Sequence, residues 1–213
     1  MSSKDHIVFV VDDDYRMREA LHELLTSADL HAASFGSAAE YLEFAKPDLP
    51  ACLILDVDLP DINGLDLQSR LAVEHHPPIV FITGHGDVPS SVRALKAGAV
   101  DFLTKPFSDS DLLGAVHASI AQDREARLTR AELATLQQRF ATLTPREREV
   151  LPLVVSGLLN KQAAGQLGIS EVTLQIHRGK IMHKMEAGSL AELVRMAATL
   201  GIPLPAPRAR AHS

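Results

Sequence analysis

Asp12, Asp13, Asp56, Thr83 and Lys105 are the residues of this chain whose types could do chemistry together, and each lies just beyond a short apolar run. Three carboxylates brought to one place repel one another, so they must share protons or recruit a cation. An all-oxygen set suits a hard divalent ion that keeps some of its waters, most simply Mg2+. A carboxylate beside such an ion can act as nucleophile on a phosphoryl group, because the cation screens the repulsion between two anions. Asp56 is assigned that role. Lys105 then supplies a fixed positive charge for the phosphoryl oxygens, and the Thr83 hydroxyl donates to one of them. Taken singly, an Asp after a strand is often a helix cap and a Lys-Pro pair a turn. The weight lies in the combination.

The elements that must hold these residues can be read from hydrophobic patterning. Ile7 to Val11, Ala32 to Phe35, Ala51 to Leu55, Ile79 to Ile82 and Val100 to Leu103 read as strands. The stretches between them have helical spacing, as in Met17, Leu21, Leu24 and Leu25, or Val92, Leu95 and Lys96 before Gly98. Five strands alternating with helices imply a parallel, doubly wound α/β sheet. In such a sheet ligands bind at the carboxyl ends of the strands, near the point where strand order reverses. With order 2-1-3-4-5, strands one and three flank that point. Ser119 to Ala141 has no Pro or Gly and spaces Leu133, Leu136, Phe140 and Leu143 by three or four, which predicts a helical linker that can run on from the preceding helix.

Beyond the linker the strand signals stop. Thr144-Pro145-Arg146-Glu147 combines an N-cap threonine, a proline at the first helical position and a capping-box glutamate. Gly157 closes that helix, Asn160 can cap a second, Gly168 marks a tight turn and Ser170 can cap a third. Ser189-Leu190-Ala191-Glu192 is another capping box. The result is a small all-α domain of four short helices. The tail Ile202-Pro203-Leu204-Pro205-Ala206-Pro207, with Arg208 and Arg210, is expected to be disordered.

Charge separates the two halves. Residues 1–123 carry 8 Lys+Arg against 20 Asp+Glu, and the remainder 13 against 7, so a net charge of -6 conceals -12 followed by +6. An acidic half and a basic half suggest two tasks, with nucleic acid a partner for the second. No apolar run reaches the length of a bilayer span, and Met1 to Asp5 lacks a signal peptide's basic region and apolar core, so a cytoplasmic protein is expected. The single cysteine, Cys52, sits in an apolar run and reads as a small core residue. The ten histidines form no metal spacing with acids or cysteine and are expected at the surface.

Four segments carry a resemblance: Val11-Asp12-Asp13-Asp14, Leu55 to Gly64, Ile82 to Pro89, and Gly98 to Phe107 with its Lys105-Pro106. In this order, over roughly residues 5–121, the chain resembles the receiver domains of FixJ-type response regulators, which have a flavodoxin-like fold. The resemblance implies that Asp12, Asp13 and Asp56 form the acidic site with the Asp58 backbone carbonyl as a further metal ligand. It also implies that Thr83 and Phe102 are a switch pair, that Lys105-Pro106 is cis, and that His85 shapes its loop. Asp58 departs from the more common basic or neutral residue at its position, which bears on metal affinity or the rate of dephosphorylation. It also motivates a rival reading, since Asp56-Val57-Asp58 resembles the nucleophile motif of haloacid-dehalogenase-like phosphatases. An Asp pair on the first strand and the lack of a cap insertion argue against that, and turnover of phosphate monoesters would discriminate.

The second half, roughly 140–201, resembles the LuxR-type helix-turn-helix of FixJ and NarL relatives on Leu143 to Leu151, Gly157 to Ala164 and Leu167 to Arg178. Its recognition helix is expected over 171–185, with Leu174, Ile181 and Met185 packed inward on the stripe that includes Arg178. Gln175 can then read an adenine edge, Val172 or Ile176 a thymine methyl, with Thr173 beside them. Lys161, Arg178, Lys180 and Lys184 are candidates for phosphate contacts. Val172 and Ala163 depart from the basic residue and the Ile common in relatives. The expected division is a receiver at 1–121, a helical linker at 122–140, the helix-turn-helix at 141–201 and a tail at 202–213. The resemblance implies a phosphorylation-controlled transcription regulator that is not an enzyme. Its partners are a sensor histidine kinase, double-stranded DNA, a second copy when phosphorylated, and RNA polymerase. A further alternative is a receiver-like protein that works through protein contacts and never binds DNA, which a gel shift would separate.

Overall fold

The computed structural model describes residues 5–72, 75–84 and 88–203, with only the backbone of Val88. The chain forms two compact units, Met1–Leu128 and Thr129–Ser213. In the first, five strands, β1 (Ile7–Val11), β2 (Ala32–Phe35), β3 (Ala51–Asp56), β4 (Ile79–Thr83) and β5 (Asp101–Thr104), pair in parallel in the order β2-β1-β3-β4-β5. They alternate with α1 (Tyr15–Ser27), α2 (Ala38–Glu43), α3 (Gly64–Leu71), α4 (Val88–Lys96) and α5 (Asp109–Ala141). Sheet order matches the sequence expectation. Asp56 and Thr83 are the last residues of β3 and β4 rather than the first beyond them.

Strands β1, β3 and β4 are buried throughout because helices cover both sheet faces, which is why they read as unbroken apolar runs. Phe9, Leu53, Leu55 and Phe81 point to a core closed by Tyr41, Leu65, Leu67 and Ala94 from α2, α3 and α4. Val8, Val10, Cys52, Ile54, Val80 and Ile82 point the other way, onto Leu21 and Leu25 of α1 and Leu112, Val116 and Ile120 of α5. Burial pushes the Cys52 thiol up to about 12, so it stays protonated in this core. Helix α5 is 33 residues long and takes in the whole stretch read as a linker.

In the second unit α6 (Pro145–Val155), α7 (Asn160–Leu167), α8 (Glu171–Met185) and α9 (Leu190–Thr199) close over Val150, Leu151, Leu174, Ile181, Met185 and Leu193. Leu136, Phe140 and Leu143 from the end of α5 and the following turn pack on the same core. The Thr144–Glu147 capping box forms as read, Ser170 accepts from the Thr173 N–H, and Gly168 takes the left-handed conformation. Two caps differ. Asn160 is the first residue of α7 and not its cap: Leu159 takes that place, its N–H donating to the Gln162 side chain at 3.1 Å. Ser189 accepts from Glu192 N–H, but the Glu192 carboxylate reaches one residue further back, to the Gly188 N–H at 2.8 Å. Of the expected tail, Ile202 packs against the core and its N–H donates to Ala197 O, while 204–213, with Arg208 and Arg210, lie outside the described residues. No helix among the described residues is long and apolar enough to cross a membrane.

Candidate phosphoacceptor site and DNA-facing helix

Parallel pairing of β1 with both β2 and β3 sets the reversal point of the sheet between β1 and β3, and it brings Asp12 and Asp13 next to Asp56. One oxygen from each of these three carboxylates lies within 4.8 Å of the others. Asp12 is fully buried, Asp56 nearly so, and Asp13 is exposed. Lys105, delivered by the end of β5, donates from Nζ to Asp12 Oδ2 at 2.8 Å and to Asp56 Oδ2 at 2.6 Å. The other oxygens accept backbone N–H groups, Asp12 Oδ1 from Asp14 at 2.8 Å and Asp56 Oδ1 from Asp58 at 3.0 Å.

Burial is the strongest influence on Asp12 and raises its pKa above the usual carboxylate range, against the pull of Lys105. For Lys105 burial acts against the charge, but the hydrogen-bonded carboxylates of Asp12 and Asp56 outweigh it and raise its pKa, so the ammonium is retained. Two buried carboxylates and an exposed one around the Lys105 ammonium are short of positive charge. Three convergent oxygens from β1 and β3 therefore fit a small divalent cation.

Thr83 is fully buried at the end of β4, and its hydroxyl lies 3.5 Å from Asp58 Oδ2. Phe102 on β5 is half-buried with its ring 6.0 Å from Phe81. The Lys105–Pro106 bond is cis, as the resemblance implied. His85 lies outside the described residues.

Several residues that hold this site went unread in the sequence. Arg18, one turn into α1, donates to the backbone carbonyls of Asp12 at 2.7 Å and Asp13 at 3.0 Å, fixing the loop that aims both carboxylates. Gly64 packs directly behind the phosphoacceptor candidate: a Cβ there would sit 2.4 Å from the Asp56 carbonyl oxygen. Asp61, in the loop after β3, accepts from Ala39 N–H at 3.0 Å and so caps α2. The sequence signal for two of them was the Leu55 to Gly64 motif, which contains both Asp61 and Gly64 but does not show what either touches.

In the second unit Leu174, Ile181 and Met185 face inward as expected. Val172 is 66% exposed and Ile176 54%, an unusual exposure for such side chains, and Gln175, Lys180 and Lys161 are exposed as well. Thr173 is drawn into the start of α8, its hydroxyl 2.8 Å from Ser170 Oγ. Arg178 is half-buried, with Nη1 3.5 Å from Asn160 Oδ1. Lys184, expected to face a phosphate, is partly buried: its ammonium donates to Glu147 Oε2 at 2.7 Å and to Thr142 O at 3.1 Å, so it fastens α8 to the start of α6. The histidines also depart from expectation, because His6 is buried at the foot of β1.

A five-stranded receiver with an acidic pocket at its strand ends, joined to a four-helix unit with an exposed polar and apolar helix face, defines a signal-receiving DNA-binding protein. Residues 8–117 match the response regulator receiver domain family, and residues 141–197 match the luxR family of bacterial regulatory proteins. The chain is 52% identical to Nodulation protein W of Bradyrhizobium diazoefficiens over 94% of this chain and 89% of that one. It is 42% identical to the transcriptional regulatory protein FixJ of the same organism over 95% and 98%. Among solved structures it resembles response regulator StyR, with a TM-score of 0.81 and 46% identity over 91% of this chain and 98% of that one. Full-length FixJ from B. japonicum gives a TM-score of 0.54 at 39% identity over 95% and 100%. The chain belongs to the two-component response regulators of the FixJ type, with a LuxR-type output domain, and is a phosphorylation-controlled, DNA-binding transcription regulator.

Proposed function

We propose that Asp56 is the phosphoacceptor and that its phosphorylation, with Mg2+, drives receiver pairing and DNA binding. The observation that carries this reading is the convergence of Asp12, Asp13 and Asp56 with Lys105 bonded across two of them. Asp12, Asp13, Asp56 and the Asp58 backbone carbonyl would hold the ion, which when bound offsets negative charge on the phosphoryl oxygens. An Asp56 carboxylate oxygen attacks phosphorus of a sensor kinase's phosphohistidine, the P–N bond breaks, and an acyl phosphate forms on Asp56. Lys105 releases its bond to Asp56 and follows the charge onto a phosphoryl oxygen. Thr83, freed from Asp58, donates to another, and Phe102 fills the space that Thr83 leaves.

The face made by α4 and α5 then pairs with a second copy, a role supported by the exposed Val92 and Leu95 on α4. Two paired receivers bring two output domains to a roughly two-fold symmetric site. There Val172, Gln175 and Ile176 meet base edges, with Thr173 at the rim, while Lys161, Arg178 and Lys180 meet phosphates. The working division is a receiver to residue 121, a helical linker to 140 and the output domain to 201. The protein acts in the cytoplasm with a sensor histidine kinase, double-stranded DNA and RNA polymerase as partners, and it turns over no phosphate monoester.

Incubation of the full chain with Mg2+ and a small phosphodonor tests the assignment. Wild type should become labelled, Asp56→Asn should not, and chelation of Mg2+ should stop labelling. Equal labelling of both proteins would sink the assignment.

A further inference from the structure

His6 precedes β1 by one residue, at the far end of the strand from Asp12. Strand alternation sets it on the side of Val8 and Val10, the sheet face that α1 and α5 cover. It is 4% exposed, and among the described residues neither ring nitrogen has a hydrogen-bond partner. A neutral imidazole carries one donor and one acceptor, so this burial forfeits both of its hydrogen bonds to water. Among the described residues, four charged or titratable groups act on it: Asp5 on its own segment, His31 at the entry to β2, and His117 and Arg124 on α5. Only Asp5 is acidic, and it is exposed. Burial first, then the positive neighbours, hold the ring's pKa below its ordinary value.

The same end of the sheet is where α5 is pinned. The buried Asp123 carboxylate accepts from the Ala51 N–H at 2.9 Å and from Arg127 Nε at 2.7 Å, and Arg127 also pairs with Asp48. These contacts sit on the last turns of α5 before the helix leaves the first unit.

We propose that His6 is a proton-operated latch at the foot of the receiver: neutral, it lets α5 seat on the sheet, and protonated, it releases that seat. An imidazolium donates from both nitrogens, and in the seated arrangement neither bonds an acceptor among the described residues, while His117 and Arg124 oppose the added charge. The opened state accepts the proton that the seated state refuses. Opening is therefore favoured as pH falls below about 6.5, the ordinary histidine value, and the latch is closed above it. The latch would give a phosphorylation-controlled protein a second, acid-sensitive input, and it does not depend on which carboxylate accepts phosphate.

The test uses the unphosphorylated full chain between pH 7.5 and 5.5. NMR follows the His6 ring, and amide exchange, corrected for its intrinsic pH dependence, follows α5 over residues 115–127. The opening constant of those amides should rise toward tenfold per pH unit once pH is below about 6.5, the limit for one proton. His6→Leu, which replaces both unpaired nitrogens with an apolar group, should remove that rise. A His6 ring that titrates at or above about 6.5 in the wild type overturns the proposal, as does an unchanged pH dependence in His6→Leu. Should His6→Leu fail to fold, the wild-type ring titration decides alone.

Discussion

Lys184→Met should destabilise the output domain while leaving the electrostatics of DNA binding intact. Lys184 is 30% exposed on its side chain and bonds a Glu147 carboxylate that is 3% exposed. Methionine keeps most of the stem and removes the ammonium, so Glu147 is left buried with no cation and with Thr144, whose N–H donates at 2.8 Å, as its neutral partner. Breaking a fully buried ion pair from one side costs about 3–5 kcal/mol, and partial exposure of Lys184 reduces this to about 2 kcal/mol. For a domain of this size that corresponds to a fall in Tm of about 8–16 °C. Calorimetry of the full chain measures it, with amide exchange in α6 and α8 assigning the transition. The double variant Glu147→Gln/Lys184→Met should recover much of the loss, because no unpaired charge is then buried. Lys180→Met supplies the contrast: being exposed, it should leave Tm unchanged and lower the salt dependence of DNA binding by about one unit of slope. If Lys184→Met left the transition in place and instead flattened the salt dependence, Lys184 would belong to the DNA surface and the reasoning would fail.

The same carboxyl gives a pH prediction. Although burial alone would raise the Glu147 pKa, Lys184 and the Thr144 N–H lower it, so its stabilising contribution is present above the unfolded value of about 4.3 and is lost as pH falls through the folded one. Acid titration of Tm should show that loss in the wild type and a smaller one in Lys184→Met. Gly64→Ala should destabilise the receiver by about 2 kcal/mol or more, since the backbone behind Asp56 must move to admit a methyl, and urea unfolding with Mg2+-dependent labelling would register both effects. Thr83→Ala should accept phosphate yet fail to dimerise, and normal dimerisation by sedimentation would count against the switch pair. A fragment of residues 124–213, separated from the acidic half, should bind DNA without phosphorylation more tightly than the unphosphorylated full chain at fixed ionic strength. Equal binding would leave dimerisation as the sole route of control.

The sequence was most legible where one short segment carries the whole physical cause. Parallel strands buried on both faces must be apolar runs, so β1, β3 and β4 stood out; the partly buried edge strands β2 and β5 were placed to within a residue by their short apolar stretches, and the carboxylates at the strand ends followed from sheet topology. Thr144 with Glu147, Ser170 and Gly168 announce helix ends through chemistry confined to three or four residues. What stayed hidden depends on partners distant in sequence. Arg18 reads as one more cation on an exposed helix until the loop holding Asp12 and Asp13 curls its carbonyls back onto it. Asp61 reads as loop polarity until α2, 22 residues earlier, presents its unpaired N–H groups. Lys184 shows how such distant partners mislead: on α8 alone it is indistinguishable from Lys180, and only Glu147, 37 residues away, decides that one cation holds the fold together while the other remains at the surface. Within one DNA-reading helix, then, assigning affinity to a lysine requires first asking which buried carboxylate its ammonium can reach, because a buried anion must be paired inside the protein before any cation is left for a phosphate.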